Sequence, residues 1–175
     1  MEEVSIVEVP SQKVIGLRQK GSYKDMAQMI PKLMQYASEK GVSPAGPPAY
    51  ICHEKSMKAV KKADEEGSAD IEIVVPVEGD VEGSDVIKSY ELAGGKMAKL
   101  IHKGPYSGVS PSYEQLFKWI YSNGYRVAGE TREVYINDPN QVPESELMTE
   151  LYAPVVEDKG IIAKIMKLFM KKSDL

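Results

Sequence analysis

At 175 residues the chain is long enough for one well-filled core or for two small fused halves. Its apolar content is that of a soluble globule, no apolar run could span a bilayer, and a net charge of −4 gives no field that would draw in nucleic acid. One cysteine excludes an internal disulfide, and with no charged-then-apolar leader at the N-terminus the expected location is cytoplasmic.

Residues 3–10 and 12–19 read as strands joined at Pro10-Ser11, after which Gly21-Ser22 breaks the chain. From Met26 onward, Met29, Ile30, Leu33, Met34 and Ala37 recur at helical spacing as far as Gly41. Pro31 inside that run predicts either a kink or a start near Ile30. A Pro/Gly-rich loop over 43–48 leads to a short strand at 49–53. The charged stretch 54–68 reads as a solvated loop with room for a helical turn. Residues 70–77 read as a fourth strand, and the acidic, Gly-punctuated stretch 79–84 as a connector.

Strands follow at 86–92 and 96–103, with a hairpin turn expected at Gly94-Gly95. Ser110-Pro111 predicts a helix start, a hydroxyl cap followed by proline at the first helical position. Tyr113, Leu116, Phe117, Ile120 and Tyr121 form the buried stripe of that helix, and Gly124 ends it. Strands at 132–137 and 148–155 close the second half, separated by the turn Asn137-Asp138-Pro139-Asn140. Beyond them, Ile161, Ile162, Ile165, Leu168 and Phe169 share one face of a short helix that carries Lys164, Lys167 and Lys171 on another. Such a helix could dock on its own domain, pair two copies as a homodimer, or touch a membrane.

The two halves repeat. Glu8 and Glu91, Lys13 and Lys96, Leu17 and Leu100, and Lys20 and Lys103 are each 83 positions apart. So are Gly21 and Gly104, Tyr23 and Tyr106, Leu33 and Leu116, and Gly41 and Gly124. With small shifts Tyr50-Ile51 matches Tyr135-Ile136, and Glu72 matches Glu150. The expected fold is therefore α+β, a tandem duplication of β-β-α-β-β modules (about 3–78 and 85–156) related by pseudo-two-fold symmetry. A cleft between the modules is the default ligand site. The binding domain would run over 1–156, and the cationic helix over 157–175.

The chain holds ten Tyr against two Phe and one Trp, a composition suited to pockets for aromatic ligands. No spacing resembles a zinc site, a Ser-His-Asp constellation or a phosphate-binding loop, and Cys52 and His53 alternate to opposite faces of a strand. Neither a metal nor a cofactor is expected. Glu133, Tyr135 and Asn137 share one face of their strand, and the repeat partner of Glu133 is Pro48, so the acid breaks the symmetry. On the next strand Glu150 and Tyr152 share a face. The four side chains would line one concave sheet face as a cation-favouring aromatic cleft. On the plainer alternative the acids meet solvent or pair with Arg132 or Arg126.

Residues 97–106 (Met-Ala-Lys-Leu-Ile-His-Lys-Gly-Pro-Tyr), Leu116 to Trp119, Glu133 to Pro139 and Thr149 to Val155 resemble, in order, the blocks of the GyrI-like small-molecule-binding domain. That domain is also the effector-binding half of multidrug-responsive transcription activators. The resemblance covers about 3–156. It implies an aromatic, acidic cleft in which Glu133 is the buried carboxylate and Tyr135, Glu150, Tyr152 and Tyr50 are its neighbours. Trp119 walls the cleft or serves the core. It implies stand-alone binding of a flat, amphipathic or cationic molecule, for sequestration or sensing. Two alternatives follow from relatives: a cofactor-independent hydrolase of cyclopropane-type toxins using Glu133 and Tyr135, or an inhibitor of a DNA-handling enzyme by protein contact. Direct DNA binding is not expected, since no helix-turn-helix precedes the first strand.

Overall fold

The computed structural model describes residues 2–173. Its elements in chain order are β1 (Ser5–Val9), β2 (Gln12–Gly21), α1 (Met26–Glu39), β3 (Ala49–Cys52), α2 (Met57–Glu66), β4 (Ala69–Pro76), β5 (Ile87–Leu92), β6 (Gly95–Lys103), α3 (Ser110–Ser122), β7 (Tyr125–Val127), β8 (Thr131–Tyr135), β9 (Met148–Glu157) and α4 (Lys159–Ser173). The strands form one antiparallel sheet in the order β1-β6-β9-β8-β3-β4-β2-β5, with β7 alongside β9. α1, α2 and α3 pack on one face, so the class is α+β.

The strand order shows an exchange. β1 pairs with β6 of the second half, and β5 pairs with β2 of the first. The link from β1 to β2 is only Pro10 and Ser11, although those strands lie near opposite ends of the sheet order. The sheet must curl until its ends meet. There the two short connectors cross: Gly94 N–H donates to Ser11 Oγ at 3.2 Å, and a Cβ on Gly94 would sit 2.0 Å from the carbonyl oxygen of Val9. Glycine is required at that crossing by close backbone approach. The hairpin expected at Gly94-Gly95 is thus corrected to a crossover, since β5 and β6 take different partners. Turn composition is the same in both cases, and only the register separates them.

Two cores lie under the helices. Met29, Leu33 and Ala37 of α1 cover Ile15, Ile71, Ile73 and Val75, while Leu116 and Ile120 of α3 cover Ala98, Leu100, Leu151 and Ala153. Each fully buried aliphatic side chain contributes roughly 1.5–3 kcal/mol. A smaller cluster on the other face joins Val14, Ala49, Ile51 and Val74.

Four local expectations change. The stretch 54–68 contains a full helix, α2, capped by the Ser56 hydroxyl accepting from Ala59 N–H at 3.1 Å and ended by Gly67 at φ 61°. Its apolar stripe is a single buried residue, Ala63, which left no periodic signal. α1 begins at Met26 and runs through Pro31, which lies one turn in and leaves the Ala27 carbonyl without its helical donor. Ser110 makes no side-chain cap and is itself the first residue of α3. β7 was not anticipated; it pairs Tyr125 to Val127 with the end of β9.

α4 docks through its first turns. Ile161, Ile162 and Ile165 are half-buried, with Ile162 against Gly124, whereas Met166, Leu168 and Phe169 are 61%, 65% and 71% exposed. Asp158 caps it, accepting from Gly160 N–H at 2.9 Å. Among the described residues no helix is long and apolar enough to cross a membrane.

Candidate functional site

Strand alternation turns Glu133 and Tyr135 of β8 toward the helices, and Arg132 and Val134 to the opposite face. Register then sets their company: Glu133 lies between Tyr50 of β3 and Leu151 of β9, at the seam where the two halves join. Tyr113, from the first turn of α3, donates its hydroxyl to Glu133 Oε1 at 2.9 Å. Tyr135 donates to Oε2 at 3.1 Å. No cation forms an ion pair with this carboxyl among the described residues.

The acid keeps some accessible surface yet is closely surrounded by protein. Burial pushes its carboxyl above the usual carboxylate range, while the two phenols and, more weakly, the field of His102 pull it down. Burial also pushes Tyr113 and Tyr135 well above the ordinary phenol value, with the Glu133 charge adding to it. Both rings stay neutral hydrogen-bond donors.

Around this centre the rings meet in edge contacts. Tyr106 sits against Tyr135 at 5.3 Å between centroids and 70°, and Tyr23 against Tyr50 at 6.0 Å and 80°. On the Tyr50 side lies a second acid, Glu54, whose Oε1 accepts from Asp70 N–H at 2.8 Å. The Tyr50 hydroxyl is 3.4 Å from Glu54 Oε2, and Cys52 Sγ is 3.8 Å from the same oxygen. Burial pushes the Cys52 thiol up, which makes it a poor nucleophile. The Tyr23 hydroxyl, pushed up to about 12 by burial, lies near Tyr50 and Glu54 but meets no partner in hydrogen-bond geometry among the described residues. An orphaned hydroxyl beside an acid and aromatic rings is a group that a ligand could satisfy.

Of the residues singled out in the sequence, Glu133, Tyr135 and Tyr50 come together here. Glu150 and Tyr152 do not. Glu150 is opposite Val134 and Tyr152 opposite Arg132, so both point to the far face of the sheet. There Glu150 is paired with Lys99 at 2.5 Å and accepts from Tyr152 at 2.6 Å. Alternation fixes faces within a strand, but the parity between neighbouring strands needs the register, and here it is odd. Trp119 stacks on Tyr125 at 6.3 Å and 10° in the second-half core, away from the acid. His102 is buried, its Nε2 donating to the Pro105 carbonyl at 3.1 Å and its Nδ1 2.8 Å from the Ser112 hydroxyl. Its place is structural.

Sequence reasoning passed over Tyr113, Tyr106, Tyr23 and Glu54 as site residues. Tyr113 looked like part of a buried stripe, which it also is. The spacing of Tyr23 and Tyr106, 83 positions apart, was the available signal, since each braces a ring beside the seam. Two hollows on the described surface lie elsewhere, one of about 380 Å³ on the far face and one beside Glu2 and His102. At the seam the Tyr113 and Tyr135 hydroxyls occupy both oxygens of the acid.

No curated protein sequence matches the chain significantly. Among solved structures, the EcmrR C-terminal domain superposes with a TM-score of 0.79 at 23% identity, covering 90% of this chain and 99% of that one. EcmrR within its DNA complex gives 0.78 at 24% identity; the match covers 90% of this chain but only 58% of that longer one. A hydrolase encoded by lin2189 from Listeria innocua aligns with a TM-score of 0.66 at 14% identity, over 88% and 92% of the two chains. SAV2435, solved bound to tetraphenylphosphonium, aligns at 0.52 and 16% identity, over 88% and 94%. At such identities the likeness speaks for the fold. The family assignment comes from the sequence match over residues 2–156 to the GyrI-like small molecule binding domain, and on that match the chain belongs to the GyrI-like family.

Proposed function

We propose that this protein binds a flat, amphipathic or cationic small molecule at the helix-side seam, for sequestration or effector sensing, with residues 1–156 as the binding unit. The supporting observation is the Glu133 carboxyl, desolvated, held by two phenols and in no ion pair among the described residues. A buried acid without a counter-charge favours a cation, and the electron-rich faces of Tyr50, Tyr106 and Tyr135 act in the same direction. Entry requires the Tyr113 and Tyr135 hydroxyls to turn aside. Tetraphenylphosphonium, the aromatic cation seen on SAV2435, is the natural first probe. Calorimetric titration should show saturable binding that Glu133→Gln weakens at least tenfold. Absence of saturable binding to wild type, or equal affinity for the variant, refutes the reading.

One observation favours a second reading. Glu133 is displaced upward and lies within hydrogen-bond reach of a tyrosine hydroxyl, the direction and company that general acid–base work requires. In a hydrolase of strained, cyclopropane-type electrophiles, Glu133 would protonate the ring or activate water, and Tyr135 would orient it. Product formation that disappears in Glu133→Gln distinguishes this from binding alone.

A further inference from the structure

We propose that the far face of the sheet holds a second binding site, for an apolar molecule carrying one negative charge, which the guanidinium of Arg132 receives. The curl that brings the connectors together makes this face concave and encloses a hollow of about 380 Å³, within the range of small-molecule sites. Val9, Val74, Leu92, Met97 and Val134 give it apolar walls.

The charges decide the ligand. Four charged side chains border the hollow: Glu8, Lys99, Arg132 and Glu150. Lys99 and Glu150 neutralise one another at 2.5 Å, and the Tyr152 hydroxyl takes the other oxygen of Glu150 at 2.6 Å. Glu8 is exposed on β1. Arg132 is partly buried, forms no ion pair among the described residues, and makes one hydrogen bond, to the Ala93 carbonyl at 2.5 Å. A guanidinium has five N–H donors in a fork that matches a carboxylate or sulfonate. Four of them find no acceptor among the described residues, while Lys99 and Glu150 within the hollow form a closed pair. Burial holds the Arg132 group below its ordinary value, which is the electrostatic cost an incoming anion removes. A cation would meet Arg132 at the wall, and the one lining acid outside the Lys99–Glu150 pair is Glu8, exposed at the edge. Adjacent residues of β8 thus serve opposite charges on opposite faces, Glu133 toward the helices and Arg132 toward this hollow.

The test uses the whole chain and two anionic probes, 8-anilinonaphthalene-1-sulfonate by fluorescence and dodecanoate as its competitor, so that a flat ring and a flexible chain are compared. The expected result is saturable 1:1 binding of the dye, displaced by dodecanoate and unaffected by tetraphenylphosphonium. Arg132→Gln should weaken it about tenfold or more, and Arg132→Lys should restore part of the loss, with the thermal melt as control for folding. Leu92→Trp, which fills the hollow while leaving Arg132 in place, should abolish dye binding. Non-saturable binding, displacement by tetraphenylphosphonium, or undiminished affinity in either folded Arg132→Gln or Leu92→Trp overturns the proposal.

Discussion

Replacing Glu133 by glutamine separates the charge of the site from its rings, and the structure sets both the sign and the size of the effect. A ligand cation about 5 Å from the carboxylate, at an effective dielectric near 20, gains roughly 3 kcal/mol. Desolvation of the cation and displacement of the Tyr113 and Tyr135 hydrogen bonds return part of that, leaving about 2 kcal/mol, or some 30-fold in Kd. The rings remain, so the variant should keep weak affinity for an aromatic cation. Stability should move the other way. The folded-state carboxyl titrates above its unfolded value, so its favourable contribution is complete below the unfolded pKa and is lost as pH rises through the folded one. Glutamine cannot ionise. From acidic to alkaline pH, wild type should therefore lose stability relative to Glu133→Gln, by about 1.4 kcal/mol for each unit of displacement. Urea unfolding of both proteins at pH 4.5 and pH 8, with calorimetric Kd values at pH 8, reads both effects. A wild-type protein that gains on the variant as pH rises, or Kd values within twofold, would refute the electrostatic reasoning.

Tyr113→Phe removes the donor to Glu133 Oε1, so the acid should titrate higher still and the pH profile of cation binding should shift upward; an unmoved profile contradicts the hydrogen bond's role. Gly124→Ala forces a Cβ to 2.7 Å from Ile162 at φ +81°, and should cost about 1–3 kcal/mol in the melt. Amide exchange over 159–173 should rise with it. The same substitution in a chain ending at Glu157 should cost less, since only the backbone penalty remains. Ser56→Ala should remove about 1 kcal/mol and loosen α2 without altering ligand affinity. Trp119→Phe should lower the melt while leaving cation binding within twofold, given its stack on Tyr125.

Most of the fold was legible because period and punctuation are local. Leu33 and Leu116 announce their helices, and the alternation of β8 announces which of its side chains travel together. What was not legible depends on pairing between distant segments. Glu133 and Glu150 looked like companions because each shares a strand face with a tyrosine, yet an odd register sends them to opposite sides. The Gly94 crossover looked like a hairpin for the same reason. Tyr113 was seen only as apolar bulk, since a helical pattern records that a ring is buried and not what its hydroxyl meets. α2 was missed because alanine is too small to mark a face.

The traded edge strands have a mechanical consequence. β1 is clasped by the second half and β5 by the first, so each half grips one edge strand of the other, one at each end of the sheet. Prising the halves apart along β8 and β3, as a clam opens, would tear two further ladders besides the one at the seam. Room for a guest must therefore come from swinging phenol rings and shifting helices over a stiff floor.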